Sequence, residues 1–343
     1  MNPEIALEKA EDELLIKISA YKKHAIHMQS FLSKHPGEWG RFQSEFNQEV
    51  NAIYREVMLF EKQSVADGQE DRIYRLKQIF VEKFRQDFLK GDLANRSFNK
   101  PYGYAGDHKI IDDIYLNQPF TMGLDRLFDN YFQMSAISVA VRNRKEDFKT
   151  IVKQYVSKHQ SDNIRIMDIA SGPCRDVREL FSDDREGCFK NTQYHCLDAD
   201  QRAIDYAKQA LNGDSRVYFT QMNIVRLALS KDPRKEFSEA YDVIYSTGLF
   251  DYLDERITQR LIANLRKMLK PGGVLAISDV RDKFSNPSIY FMEWVGDWNL
   301  IYRPDDEFRA FFKLAGFSEN ELTYSFEQQG IMQYVIARNL SAE

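Results

Sequence analysis

Apolar positions along the first ninety residues recur at helical spacing among charges. Ile5-Ala-Leu-Glu, Leu14-Leu-Ile-Lys-Ile and the run from Ala20 to Leu32 share a three-to-four period. His35-Pro-Gly37 breaks the pattern, and a second helix follows from near Trp39 through Phe42, Phe46, Val50, Ile53, Val57 and Phe60. After a turn at Ala66-Asp-Gly68, Ile73 to Leu89 predicts a third helix with Leu76, Ile79, Phe80, Phe84 and Phe88 inward, ended by Gly91-Asp92. Amphipathic helices of this kind bury their stripes against one another or against a partner subunit. Asn95 to Asp107 reads as a loop, followed by helix from about Lys109, and Ala136 to Tyr155 predicts another helix.

The pattern then changes period. Short apolar runs alternate with helical segments, and strands are expected at 164–170, 193–197, 217–221, 242–246 and 274–279. Such βα alternation implies a largely parallel sheet whose ligands lie at the carboxyl ends of the strands. Leu322–Phe326 and Ile331–Arg338, joined by Gln-Gln-Gly330, read as a closing β-hairpin. The expected division is a helical domain over 1–95, connecting loop and helices covering the site over 96–160, and an α/β domain over 161–343.

Three segments of the second half carry the chemistry. Ile164 to Asp168 is an apolar run ending in an acid, then a small-residue turn, Ile-Ala170-Ser-Gly172-Pro-Cys-Arg, that opens a helix. Tyr194-His-Cys-Leu-Asp198-Ala-Asp200 places an acid at the end of the second strand, and Tyr241 to Ser246 is a further strand ending in small and polar residues. A dinucleotide fingerprint needs three glycines for close approach of the pyrophosphate and free amides at the helix start. Here the corresponding positions are Ala170, Gly172 and Arg175, and Pro173 offers no N–H. The turn therefore suits an adenosine-containing ligand without phosphates better than NAD, whose use by an oxidoreductase is the competing reading.

These segments resemble class I S-adenosylmethionine-dependent methyltransferases, in their Rossmann-like α/β fold. The first motif of that family matches Asp168 to Cys174, with Ala170 and Cys174 where glycine is common. The resemblance puts the ribose-binding acid on Asp198. It puts the adenine-facing polar residue on Asn223, followed by Ile224, in Phe219-Thr-Gln-Met-Asn-Ile. Leu269-Lys-Pro-Gly-Gly-Val-Leu-Ala-Ile-Ser278 resembles the turn into the fifth strand. The family implies a mostly parallel sheet with a reversed C-terminal strand and S-adenosylmethionine as cofactor. Lys100-Pro-Tyr-Gly103-Tyr-Ala-Gly106-Asp-His108 together with Thr247-Gly-Leu-Phe-Asp251-Tyr-Leu is similar to the extracellular-factor type. That similarity implies methyl esters of hydroxy fatty acids.

Each residue has a plainer reading beside the functional one. Asp198 is expected on the ribose hydroxyls, because the helix-capping role fits Asp200 better. Asp168 either orients the loop or meets the cofactor amine, or is a buried acid bonded to loop amides. Gly172 and Ala170 permit close approach, and Ser246 and Thr247 form the cofactor-facing lip. Asn223 either accepts from the adenine amine or is an ordinary turn asparagine. Asp251 is a base, a substrate anchor or a helix cap, with Asp254 also available for the cap. The loop tyrosine Tyr104 and His108, which titrates near neutrality, are the remaining catalytic candidates, against a connector capped by Asp107. Arg142 or Arg144 pairs with a carboxylate of cofactor or substrate, at least one of them being expected on the solvated surface. The aromatics between Pro287 and Pro304 read more readily as packing than as a lid, with Trp294 and Trp298 at i, i+4.

Bulk properties narrow the partners. Lys+Arg number 47 against 52 Asp+Glu, a net charge of −5, so nothing favours a polyanion such as nucleic acid. No apolar run reaches the ~20 residues a span needs. The start Met-Asn-Pro-Glu carries no leader pattern, and the 3 cysteines suit a reducing cytoplasm. Cys188 and Cys196 lack metal-ligand spacing, so no metal is expected. A small, apolar or amphipathic acceptor is expected, with a homodimer through the N-terminal helices as an option. A fold that binds the cofactor without turnover is the third alternative.

Overall fold

The computed structural model describes residues 3–159, 163–237, 239–285 and 287–340, so that Met1 and Asn2, read above for a leader pattern, fall outside it. The chain forms two units, Met1–Val139 with Lys283–Asn299, and Ala140–Asp282 with Leu300–Glu343. The expected cuts after 95 and 160 thus stand beside a division that runs through the helix Ala136–Lys158 and returns the 283–299 segment to the helical part.

In the helical unit, α1 spans Pro3–Leu32, α2 Gln43–Ala66, α3 Asp71–Lys83 and α4 Arg85–Phe88. The single third helix expected to Leu89 is interrupted at Phe84, whose φ of −128° leaves the helical range. Helices α5 (Asp92–Asn99), α6 (His108–Leu116) and α7 (Gly123–Met134) follow. The core is aromatic: Tyr21 stacks on Phe88 at 5.0 Å, and Phe46 meets Phe128 edge-on at 4.8 Å. The π-helical turn Phe291–Val295 brings its rings into this core. Phe291 lies 5.2 Å from Tyr131 and 5.9 Å from Tyr54, and Trp294 lies 5.4 Å from Phe80. These aromatics pack, as their i, i+4 spacing favoured. Trp294 and Trp298 are both buried.

The second unit takes most of α8 (Ala136–Lys158) and the sheet: β1 Ile164–Ile169, α9 Arg175–Ser182, β2 Thr192–Asp198, α10 Gln201–Ala210, β3 Val217–Gln221, α11 Ile224–Leu229, β4 Tyr241–Ser246, α12 Glu255–Met268, β5 Leu269–Val280, α13 Asp305–Leu314, β6 Leu322–Phe326 and β7 Met332–Arg338. The seven strands run in the order β3-β2-β1-β4-β5-β7-β6. β1 to β5 pair in parallel, while β7 lies antiparallel to both β5 and β6. β4 is buried at every position, as a central parallel strand covered on both faces should be. β5 begins earlier than its apolar run, at Leu269 opposite Tyr241, and its register shifts before Val243 meets Val274. Strand order reverses between β1 and β4, and a parallel sheet opens its ligand crevice at such a switch point.

Candidate functional site

The carboxyl ends of β3, β2, β1, β4 and β5 are tied into one hydrogen-bonded edge. Met222 N donates to the backbone oxygen of Asp198 at 2.8 Å, joining the end of β3 to β2. Asp198 Oδ2 accepts from Gly172 N and Oδ1 from Asp200 N, each at 2.9 Å. Ser171 N donates to Leu197 O at 3.0 Å, Ser246 Oγ to Ile169 O at 2.9 Å, and Ser278 Oγ to Thr247 O at 2.6 Å. Asp168, Ala170, Gly172, Asp198, Ser246 and Thr247 are therefore brought together at this edge.

The loop between β1 and α9 owes its shape to three left-handed residues, Ala170 at φ 56°, Gly172 at 53° and Cys174 at 47°. Ala170 and Cys174 tolerate that region at a cost that glycine avoids. At Gly172 a Cβ would meet nothing within 4 Å, so open space adjoins the loop where a ligand backbone approach is required. Ser171 Oγ is buried and has no hydrogen-bond partner among the described residues. An orphaned buried hydroxyl is a donor and acceptor awaiting a ligand or water. Nothing in the one-dimensional context of Ser171 singles it out.

Asp168 lies beneath this loop, almost wholly buried. Burial, then the neighbouring carboxylate of Asp176, holds its carboxyl well above the usual range. Asp176, in the first turn of α9, accepts from Tyr245 Oη at 2.6 Å, and burial raises its carboxyl too. Two buried acids with one shared tyrosine form a site that favours a cation such as a ligand ammonium. Cys174 and Cys196 sit beside Asp168, with their sulfurs and one carboxylate oxygen within 4.8 Å of one another. Sequence spacing pairs Cys196 only with Cys188. The fold instead brings Cys174 across from β2, and hydrogen bonding to Cys174, then burial, pushes the Cys196 thiol up. A thiol held as Cys196 is makes a poor metal ligand, since the thiolate is the ligand form.

The remaining candidates divide. Asn223 caps α11, its Oδ1 accepting from Val225 N at 3.0 Å, and Ile224 packs into the core beside it. Asp200 caps α10 and Asp254 caps α12, leaving Asp251 without a capping role. Asp251 lies in the 3-10 turn Phe250–Tyr252, buried, with Oδ1 accepting from Val280 N at 2.9 Å. It shares a hydrogen bond with Asp279, which burial and the charge of Asp251 hold well above the usual carboxyl range. Asp279 is also paired with Arg303 Nη1 at 3.2 Å. Neither Arg142 nor Arg144 is on the solvated surface: Arg142 is half-buried and Arg144 buried. α8 packs both turns against its unit, which its mixed composition did not disclose.

His108 and Tyr104 belong to the helical unit. His108 opens α6 behind the capping Asp107, which accepts from Lys109 N and Ile110 N, and its ring stacks on Tyr102 at 5.1 Å. Tyr104 is 39% exposed on the preceding loop.

The donor set fits an adenosyl amino-acid ligand. A carboxylate at a strand end suits vicinal hydroxyls, a buried acid suits an ammonium, and Pro173 denies the loop an amide a pyrophosphate would use. A family model described as a methyltransferase domain matches residues 167–275. Comparison with the curated proteins finds no match. Among solved structures the chain is similar to a possible exported protein from Bordetella parapertussis, at 17% identity and TM-score 0.55, covering 89% of this chain and 99% of that one. An O-methyltransferase family protein from Burkholderia thailandensis matches at 16% identity and TM-score 0.44, over 63% of each chain. The N-methyltransferase NodS from Bradyrhizobium japonicum WM9, in complex with S-adenosyl-L-homocysteine, matches at 17% identity and TM-score 0.40, over 68% of this chain and 98% of that one. Residues 167–275 thus match a methyltransferase domain, and the strand order with its reversed seventh strand is the fold expected of S-adenosylmethionine-dependent methyltransferases.

Proposed function

We propose that the protein esterifies the carboxylate of a small amphipathic acid, a hydroxy fatty acid in kind, by methyl transfer from S-adenosylmethionine. The observation that carries the reading is the Asp198 carboxylate, aligned by two backbone amides at the end of β2 beside the open face of Gly172. S-adenosylmethionine, when bound, supplies an electrophilic methyl group. The chain's own residues then need only bind, orient and exclude water. Asp198 would hold the ribose hydroxyls, Asp168 the amine, Ser171 a polar atom of the tail, Asn223 and Ile224 the adenine, and Ser246, Thr247 and Arg142 the remaining rim.

A carboxylate acceptor is favoured by what happens to Asp251. Its oxygens are engaged by Val280 N and Asp279, so it is an occupied acid and not a base waiting for a proton. An amine or hydroxyl acceptor has a proton to lose, whereas a carboxylate has none. Tyr104 and His108 are proposed as acceptor contacts, to be read from Tyr104→Phe and His108→Gln kinetics. The low cysteine count, 3 in 343 residues, supports a cytoplasmic protein. Exposed Ile16 and Ile26 on α1 support a homodimer, to be tested by light scattering.

The experiment is incubation of the protein and methyl-labelled cofactor with medium-chain 3-hydroxy acids, followed by mass spectrometry. The expected product is a labelled ester that mild base hydrolyses. Label that survives base in an N- or C-methyl product overturns the carboxylate assignment.

A further inference from the structure

Two arginines are buried in the sheet unit, and they are used differently. Arg303 is held through both terminal nitrogens: Nη1 donates to Phe250 O at 3.0 Å and to Asp279, and Nη2 donates to Leu253 O, while its Nε lies 3.9 Å from Glu307 with no hydrogen-bond partner among the described residues. It clamps the turn after β4 to the end of β5. Arg144, with a side chain 6% exposed, has no such set. Its Nη1 lies 3.5 Å from Asp251 Oδ2 and 3.6 Å from the sulfur of Met332, a weak acceptor. Its Nε has no partner among the described residues.

A buried guanidinium with unmet donors is costly unless an anion completes it. The acids around it are already engaged. Glu327 accepts from Ile331 N, Gln329 N and Asn143 Nδ2, and Asp147 accepts from Tyr334 Oη at 2.9 Å. Asp251 is held by Val280 N and Asp279. The loop after β4 also leaves room for the guanidinium: a Cβ on Gly248 would lie 2.6 Å from Nη2. That loop continues from Ser246 and Thr247, at the carboxyl edge where ligands of such a sheet bind.

We propose that Arg144 binds a ligand carboxylate beside Gly248, with Asp251 as a positioning residue that orients the guanidinium. The inference rests on the methyltransferase reading and deepens it. Two ligands bring a carboxylate to this edge, the amino-acid tail of the cofactor and an acid acceptor. Arginine suits either, because its planar fork matches a carboxylate in two hydrogen bonds.

The test uses the full chain and calorimetric titration with S-adenosylhomocysteine, with 5′-methylthioadenosine, which lacks the amino-acid tail, and with a medium-chain 3-hydroxy acid. If the cofactor tail is the ligand, Arg144→Met weakens S-adenosylhomocysteine about 10- to 100-fold and leaves methylthioadenosine within about twofold. If the acceptor is the ligand, the same loss falls on the acid and both nucleosides are unaffected. Arg144→Lys restores part of the affinity in either case. Gly248→Ala keeps the charge and displaces the guanidinium, so it reproduces a smaller loss even where Arg144→Met fails to fold. Affinity for both S-adenosylhomocysteine and the acid within about twofold of wild type in Gly248→Ala, and in Arg144→Met where it melts normally, overturns the inference. A wild-type protein that binds neither nucleoside overturns the methyltransferase reading itself, and this inference with it.

Discussion

Replacing Asp198 by alanine separates ligand contact from loop support. In the folded protein each carboxylate oxygen accepts one backbone N–H, from Gly172 and Asp200. A carboxylate oxygen can accept more than one hydrogen bond, so each could also receive a ribose hydroxyl. A hydrogen bond to a charged group contributes about 1.5–3 kcal/mol net, so two give about 3–6 kcal/mol as an upper bound. Asp198 is half-buried, and water compensates part of that, which brings the expected loss to the lower end. A loss of about 3 kcal/mol is roughly 150-fold in Kd. The same change strands the amides of Gly172 and Asp200, also half-buried, at about 1 kcal/mol each of stability.

The assay pairs calorimetry with urea unfolding and adds a chemical control. S-adenosylhomocysteine and its 2′,3′-dideoxy analogue are titrated into wild type and Asp198→Ala. Wild type should lose the dideoxy analogue by about the amount that the mutant loses the natural product, near 3 kcal/mol, and the mutant should not distinguish the two. Additive losses would mean that the carboxylate and the hydroxyls do not meet. An unchanged affinity of Asp198→Ala for the natural product refutes the site outright.

Other consequences are open to simpler measurements. His195 is buried between Tyr241 Oη at 2.7 Å and Thr220 Oγ1 at 2.8 Å, and burial pushes its pKa down to about 4. Since the unfolded chain takes its proton near pH 6.5, stability is full above that pH and falls by up to about 3 kcal/mol as pH drops toward 4. His195→Gln should flatten that limb of a pH series of melts, and an unaltered limb would remove His195 as its source. Trp294→Ala empties a fully buried indole site and should lower unfolding free energy by about 3–5 kcal/mol, whereas a change under about 1 kcal/mol would deny it a core role. Thiol titration of the native protein should modify Cys188 first, with Cys174 and Cys196 reacting only on unfolding. Three equally fast thiols would contradict the packing beneath the cofactor loop.

The parts legible in the sequence were those set by local rules. Val217–Gln221 and Leu322–Phe326 fall where their patterns put them, and Asp200, Asp254 and Asp107 are helix caps by the chemistry of short acceptor side chains. Asp168, Gly172 and Asp198 meet at one edge because a strand, a turn and a second strand leave them no other place. What stayed hidden depends on side chains distant in sequence. Cys174 meets Cys196 only because the left-handed turn at Cys174 points back over β2. The interruption at Phe84 changes backbone dihedral without breaking the apolar period that predicted one helix.

The arginines show why such residues resist reading in one dimension. Arg144 and Arg303 look alike as single charged letters near apolar positions. They differ in their acceptors: two carbonyls of the turn after β4 and Asp279 at the end of β5 hold Arg303, whereas among the described residues Arg144 meets only Asp251 at 3.5 Å and the weakly accepting Met332 sulfur at 3.6 Å. Asp251 likewise reads as a base, a substrate anchor or a helix cap because it follows a strand that leads to the ligand edge. Its partners, Val280 N and Asp279, come from the neighbouring strand, and their positions are fixed only when β5 closes against β4. A titratable residue is catalytic or structural according to how many of its hydrogen bonds the fold has already made. That number is a property of tertiary pairing. The chain's letters can nominate Asp251 and Arg144 together, but only the packed sheet separates the acid whose partners are complete from the cation whose set is not.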